Sequence, residues 1–455
     1  MKKRIAALCT AVVLAVCLPA TAAAPVAAVG YPLPSDVVVN APSAILVSLA
    51  SDPQHDTIIY EKDADEVRAP GAMMRYMVLA YALSRIEEKG LDIDTDTGSY
   101  STALFNEYVA GTGVPTVNMA SGEEWTLRDL LTVAFIHNAS DAVVVLAEAV
   151  DGDVRTFMDG MNTLALELGC VNSHFYWLSG LDSLSQYTTA RDMYRIVRYC
   201  QQQPLFEDIA GVSQVTVKPV KNGSQRTITT NNHLMLSTSN HYYEPLVHSR
   251  TGLSDNDGRT CAAVARQDGY EYLVVVMGSP EYNANGESGV HYRDAKALLK
   301  WAFKQFEYKT VLAKSEILAT IKVEQAWDID HVNLVPLKEV ATVVDKDMEA
   351  DHIIRKVTVY ETAVTAPVEK GTVYGKVELY VNVDQKIGEV ELVAGDTVGR
   401  SWILAAWSGV AGFFTSVWFW LGVAVLVLLL IGYVILNIVY NRRRRRQRLQ
   451  RVKRR

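Results

Sequence analysis

Along most of the chain, short apolar runs alternate with polar breaks. Residues 44–50 and 57–60 are apolar, and the polar stretch 51–56 between them predicts two strands joined by a turn. A helix is predicted from residue 72 to about 89, with Met73, Met77, Leu79 and Leu83 on its apolar side. Thr126, with Asp129 in the first turn, predicts a capped helix over 125–135. Residues 142–149 and 158–170 read as further helices, and Thr188 or Thr189 starts another that runs to 202. Residues 260–267 and 270–278 alternate on either side of Asp268-Gly269, a strong hairpin signal. A closing helix over 292–306 places Ala295, Leu298, Leu299 and Phe303 on one face. Residues 100–118 show no settled period. Beyond 310 the chain turns rich in Val, Thr, Ile and Glu, with alternating runs at 317–323, 332–335, 356–360 and 376–381, which predicts a small β domain. Residues 417–440 are almost wholly apolar and long enough to cross about 30 Å of hydrocarbon.

Length and charge add the compartments. A chain of 455 residues has room for two domains plus processing segments, and 49% hydrophobic with 21% charged residues is an ordinary globular balance. The formal charge of -7 hides a split: three cations at residues 2–4 and ten in the tail 442–455 leave the residues between at -20. That acidic body excludes nucleic acid as its partner. Residues 1–28 read as a secretory signal, basic and then apolar and then small, with Ala20-Thr-Ala22 fitting a cleavage site. The tail 441–455 begins with Asn441 and five consecutive arginines directly after the span, so the positive-inside rule puts it in the cytoplasm and everything earlier outside. Residues 402–440 therefore form an apolar juxtamembrane segment and a span at about 417–440. Cys9 and Cys17 leave with the signal. The odd, scattered set of Cys170, Cys200 and Cys261 makes no disulfide framework and has no metal spacing. Nor do the histidines show metal-ligand spacing, so neither metal nor cofactor is expected.

Three short segments carry the chemistry. Ala69-Pro-Gly-Ala72-Met-Met-Arg75 opens the first long helix after a strand hairpin. His137-Asn138-Ala-Ser140-Asp141 precedes a second apolar helix. Arg250-Thr251-Gly252 precedes the predicted hairpin at 260–278. With Phe175-Tyr-Trp-Leu-Ser-Gly-Leu-Asp182, Tyr187-Thr-Thr-Ala-Arg-Asp-Met193 and residues 228–236, they fall in the order seen in the serine D-alanyl-D-alanine carboxypeptidases, the small penicillin-binding proteins, which residues 40–398 resemble. In that family a Ser opens the first helix and a Lys three residues later, on the same helix face, helps remove its proton. A Ser-x-Asn loop shuttles a proton and holds the substrate amide, and Lys-Thr-Gly on the cleft strand binds the terminal carboxylate of the peptide. Here the positions hold Ala72 and Arg75, Asn138 and Ser140, and Arg250, Thr251 and Gly252. Ala has no nucleophile, Arg stays protonated, and Asn cannot pass a proton as a hydroxyl does. No Ser in the chain has a Lys three residues after it. Arg250 keeps the cation, and a guanidinium can grip a carboxylate with two bonds.

The resemblance implies an α+β fold: a penicillin-binding-protein/β-lactamase-like domain over 31–306, an antiparallel sheet flanked by helices, then an all-β domain over 307–398 and one C-terminal transmembrane helix. It implies a single-pass cell-envelope protein that binds peptidoglycan stem peptide or a cell-wall partner without catalysis. The alternatives are an active carboxypeptidase with an unconventional nucleophile, for which Ser140 is the cleft hydroxyl, and a purely structural or interaction protein with the cleft closed by Met73, Met74 and Tyr76.

Overall fold

Strand Ser43–Ser48 is buried at all six positions, which is why it reads as a continuous apolar run and not as an alternation. It lies inside a six-stranded sheet of order Ala27–Ala28, Thr57–Lys62, Ser43–Ser48, Tyr270–Ser279, Gly258–Gln267, Leu246–Ser254. Only the edge pair Ala27–Ala28 with Thr57–Lys62 is parallel; the other pairings are antiparallel. Asp268 and Gly269 both hold positive φ (52° and 83°), the geometry that lets a two-residue turn follow the strand twist. Successive side chains feed opposite cores. Leu273, Val275 and Met277 pack with the helices of one face, while Val274 and Val276 meet Ala295, Leu298 and Leu299 of the helix Val290–Gln305 on the other.

The computed structural model of the chain describes residues 27–28, 30–181, 183–326, 329–347, 353–381, 385–401, 403 and 416–452. The expected signal segment 1–28, but for residues 27 and 28, and the apolar segment 402–414, but for residue 403, lie outside them. The chain divides into two compact units. The sheet and its helices form the first, which also takes in 341–354 and 380–387.

Within this unit the central helix is Arg75–Lys89, whose residues Arg75 to Ala80 are all buried, as befits a helix enclosed by others. It does not begin at residue 72 as the sequence predicted. Gly71–Met74 is a 3-10 turn, because Gly71, at φ +53°, lies so close to the backbone of Leu253 that a Cβ would sit 2.7 Å from its nitrogen. Thr126 caps the helix Leu127–Ile136 by accepting from the Asp129 amide at 3.1 Å, and Thr189 caps Ala190–Gln201 by accepting from the Asp192 amide at 3.0 Å. The helix predicted over 158–170 runs instead from Val154 to Glu167, because Asp153 caps it through the Thr156 amide at 2.9 Å. The unsettled stretch 100–118 contains a short helix, Thr102–Tyr108, capped by Ser101. Cys170, Cys200 and Cys261 are buried free thiols.

The second unit is built mainly on a six-stranded sheet of order Ile353–Val359, Val373–Val381, Gln385–Ala394, His331–Pro336, Ala319–Glu324, Ala363–Thr365. Every second residue of Val373–Val381 is buried from Gly375 onward, the alternation of a strand with one face on a core. The chain continues in a single helix, Val417–Val452. Over Val417–Arg444 it is long and apolar enough to cross a membrane.

Candidate functional site

The turn carrying Ala72 is fixed from both sides before any ligand chemistry arises. Asp257, in the turn between strands Leu246–Ser254 and Gly258–Gln267, accepts from Arg68 at 2.6 Å and from the Ala69 amide at 2.8 Å. Thr260 donates to the Pro70 carbonyl at 3.0 Å. Gly252 then lets the strand touch the turn: a Cβ on it would lie 2.5 Å from the Pro70 oxygen and 2.8 Å from the Ala72 nitrogen. Gly180 approaches from a third side, where a Cβ would meet the same Ala72 nitrogen at 3.1 Å. Ala72 thus projects a bare methyl into the cleft from a rigid seat.

Arg75, one turn on, is completely buried. Its Nη1 donates to the Leu178 carbonyl, and its Nη2 to Ser140 Oγ at 3.1 Å and to the Ser179 carbonyl at 3.4 Å. No carboxylate meets it among the described residues. Burial, and after it the charge of Arg250, lowers its pKa to about 9, still cationic at neutral pH. Arg75 therefore only donates. It takes no proton from a neighbour, and it ties the central helix, residue 140 and the 178–179 loop into one unit.

Asn138 occupies the left-handed region at φ 61°, which Asn tolerates better than most residues. Its side chain is buried at the cleft wall, and Oδ1 has no partner. Ser140 is 1% exposed and opens the helix Ser140–Asp151. Asp141 holds this corner by accepting from the Val117 and Met119 amides, each at 3.1 Å. The only side chain hydrogen-bonded to Ser140 Oγ among the described residues is Arg75, so no base stands ready to activate it.

Arg250, on strand Leu246–Ser254, is 2% exposed. Its Nη1 donates to the Phe135 and Ile136 carbonyls at 2.7 and 3.1 Å, the C-terminal end of the helix Leu127–Ile136, where partial negative charge collects. Nη2 donates to Asn231 Oδ1 at 2.9 Å, and Nε has no partner. Burial lowers its pKa to about 10. Among the described residues three of the five donors are used, and none of them on a carboxylate.

Ala72, Asn138, Arg250, Thr251 and Gly252 line one open cleft of about 1020 Å³. The structure thus brings together five of the seven residues singled out in the sequence; Arg75 and Ser140 sit behind the wall. Met73, Met74 and Tyr76 are buried in the core and leave the cleft open. The sequence reading missed Trp177 and a group of imidazoles, His233, His241 and His291, packed around Tyr292. Only Gly289 before the closing helix hinted at the latter: at φ +69° it admits the His241 ring, whose Nε2 would meet a Cβ at 2.6 Å. Among the described residues no group of three His, Cys, Asp or Glu side chains is placed to hold a metal.

Comparison with known proteins agrees with this architecture. Residues 32–281 match the family model described as D-alanyl-D-alanine carboxypeptidase, and residues 306–400 match the C-terminal domain of penicillin-binding protein 5. The chain belongs to the D-alanyl-D-alanine carboxypeptidase family. It is 26% identical over 386 residues to the D-alanyl-D-alanine carboxypeptidase DacC of Escherichia coli, covering 84% of this chain and 87% of the relative. It is 22% identical over 360 residues to DacF of Bacillus subtilis, covering 78% and 84%. The crystal structure of penicillin-binding protein 5 from Haemophilus influenzae superposes with a TM-score of 0.60 at 21% identity, over 82% of this chain and all of that one.

Proposed function

We propose that this chain is a non-catalytic member of its family, a cell-envelope protein that binds peptidoglycan stem peptides in the cleft without cleaving them. The observation that carries this is the pairing of a bare methyl at Ala72 with a buried, donor-only Arg75 behind it, whose Nη1 and Nη2 are held by the Leu178 and Ser179 carbonyls and Ser140 Oγ. Binding has its own support. Asn138 Oδ1, Ser179 Oγ, Arg250 Nε and His291 Nδ1 all belong to residues that line the cleft, and all are buried without a partner among the described residues. Buried polar groups left in that state are costly unless a ligand completes them. In this reading the peptide's terminal carboxylate meets the Arg250 and Thr251 side, and Asn138 meets an amide. The helix Val417–Val452 is the single membrane anchor, with the two folded units outside and the basic tail in the cytoplasm.

The test uses the full-length chain in detergent micelles and a fluorescent N-acylated peptide ending in D-Ala-D-Ala. Binding is expected without release of D-alanine. In Arg250→Met it should weaken roughly ten- to a hundredfold, the loss of a charge-assisted hydrogen bond. Release of D-alanine by pure protein that persists in Ser140→Ala would contradict the proposal.

A further inference from the structure

We propose that the helix Val417–Val452 carries a collar of arginines that gathers anionic phospholipids around it where it leaves the membrane. The proposal rests on the anchor reading above and gives a ligand class to a tail that, in that reading, only stops the span.

The helix runs without a break from the apolar span into the basic tail. Near the end of the span the first polar pair appears: Asn441 Nδ2 donates to Asn437 Oδ1 at 3.2 Å. Arg442, Arg443 and Arg444 follow, all exposed. The Arg444 guanidinium lies 5.7 Å from the centre of the Tyr440 ring, one turn back toward the span. That is the direction in which the Cα–Cβ bonds of a helix tilt, toward the N-terminus, and here it is the direction of the headgroups. No Asp or Glu follows Asp396 in the sequence, so the tail brings no counter-charge of its own. Positions 442 and 446, and 444 and 448, carry arginines four apart, a spacing at which like charges destabilise a helix. Anions supplied from outside would remove that cost.

The distribution of the arginines decides which anion. Each residue of an α-helix turns about 100° from the last and rises about 1.5 Å, so positions 442–446 go once round the axis within about 6 Å of height. A nucleic-acid backbone or an acidic groove on a protein lies along one side of a helix and would leave about half of such a ring unmet. Lipid headgroups surround a membrane helix on every side, at the height of the ring. A guanidinium grips a phosphate with two parallel hydrogen bonds, which suits the phosphodiester of an anionic lipid. The attraction of juxtamembrane cations to such headgroups fades within a Debye length, so the first arginines act most strongly and the later cations of the tail add less.

In the experiment the full-length chain is reconstituted into phosphatidylcholine vesicles containing spin-labelled phosphatidylglycerol or spin-labelled phosphatidylcholine, and electron spin resonance reads the share of each labelled lipid that the protein slows. The wild type is expected to prefer phosphatidylglycerol about fivefold, the scale of one arginine at an anionic surface. The combined variant Arg442→Gln through Arg446→Gln should bring the preference below about twofold. The combined variant Arg442→Lys through Arg446→Lys should keep part of it, since the charge stays and the two-point grip goes. Unchanged melting temperatures establish that the folded units are intact in both. Equal association of the two lipids with the wild type, or a preference that survives the Gln variant, overturns the collar while the anchor stands. Loss of the wild-type preference on adding a short single-stranded RNA at physiological ionic strength also overturns it, in favour of nucleic acid. Failure of the wild type to float with pure phosphatidylcholine vesicles after an alkaline wash overturns the anchor reading and the collar together.

Discussion

Arg75 Nη2 donates to Ser140 Oγ at 3.1 Å, joining the residue in the place of the family's lysine to the serine of the second motif. In the family's acylating site the first of those positions holds the lysine that takes a proton and the second the asparagine that holds the substrate amide. Here one partner is a fixed cation and the other a hydroxyl accepting from it, so the link is structural. Its value lies in the two carbonyls that the same guanidinium also holds.

Arg75→Lys should therefore destabilise the fold while keeping the charge. One ammonium on a single-point stem cannot reach the Leu178 and Ser179 carbonyls and Ser140 in the guanidinium's fork geometry. With at least one buried acceptor left unmet, the loss should be about 1–3 kcal/mol, read as a fall of several degrees in melting temperature.

Gly252→Ala tests the contact between strand and turn. The added methyl would lie within 2.8 Å of both the Pro70 oxygen and the Ala72 nitrogen, atoms of the backbone that cannot swing aside. A loss on the order of 1–3 kcal/mol is expected, as for overpacked sites, together with weakened peptide binding because the cleft wall must move. Unfolding in urea measures the first and fluorescence anisotropy the second.

Asn138 separates conformation from chemistry. At φ 61° a Gly should be tolerated with little change in stability, whereas Val should destabilise by about 1–2 kcal/mol or more. Both variants lose the Oδ1 acceptor, so both should bind the peptide less well. Thermal melts beside binding curves distinguish the two effects.

Stability should fall with acid. Burial, with Arg266 near one and Arg259 near the other, lowers the pKa of His248 and His291 to about 3. The unfolded chain, near 6.5, binds more protons between those values, so the contribution is whole above about 6.5 and is lost as pH falls toward 3. Each histidine is expected to remove up to about 1.4 kcal/mol per pH unit in that window. Melting temperatures at pH 7.5 and 5.5 should differ clearly in the wild type and by less in His248→Gln. Because His248 Nδ1 bonds the Tyr76 hydroxyl at 3.0 Å, that variant should also melt lower at both values.

Much of this fold was legible in the sequence because its signals are local. Thr126 and Thr189 cap helices, Asp268-Gly269 turns a hairpin, and the second unit alternates with a strand's period of two. The order of the three motifs placed Ala72, Asn138 and Arg250 on one cleft. What the sequence hid depends on contacts between distant segments. The 3-10 turn at Gly71–Met74 is imposed by Leu253, nearly two hundred residues on. The sequence also left open whether Arg75 and Arg250 face acids; they meet backbone carbonyls, which any sequence supplies. Trp177 and the imidazoles around Tyr292 share a cleft only through the fold, and their spacing in the chain carries no period that could announce it.

A fluorescent penicillin distinguishes a cleft that has kept its shape but lost its acylating pair from one that still acylates. The full-length chain would be incubated with the probe beside Ala72→Ser, Arg75→Lys and the double variant, and covalent labelling read after denaturing electrophoresis. No labelled band is expected for the wild type or either single variant, and a band is expected for Ala72→Ser/Arg75→Lys, in which nucleophile and base return together. A band in the wild type would contradict the loss of that pair, and the labelled peptide would then name the residue that acts.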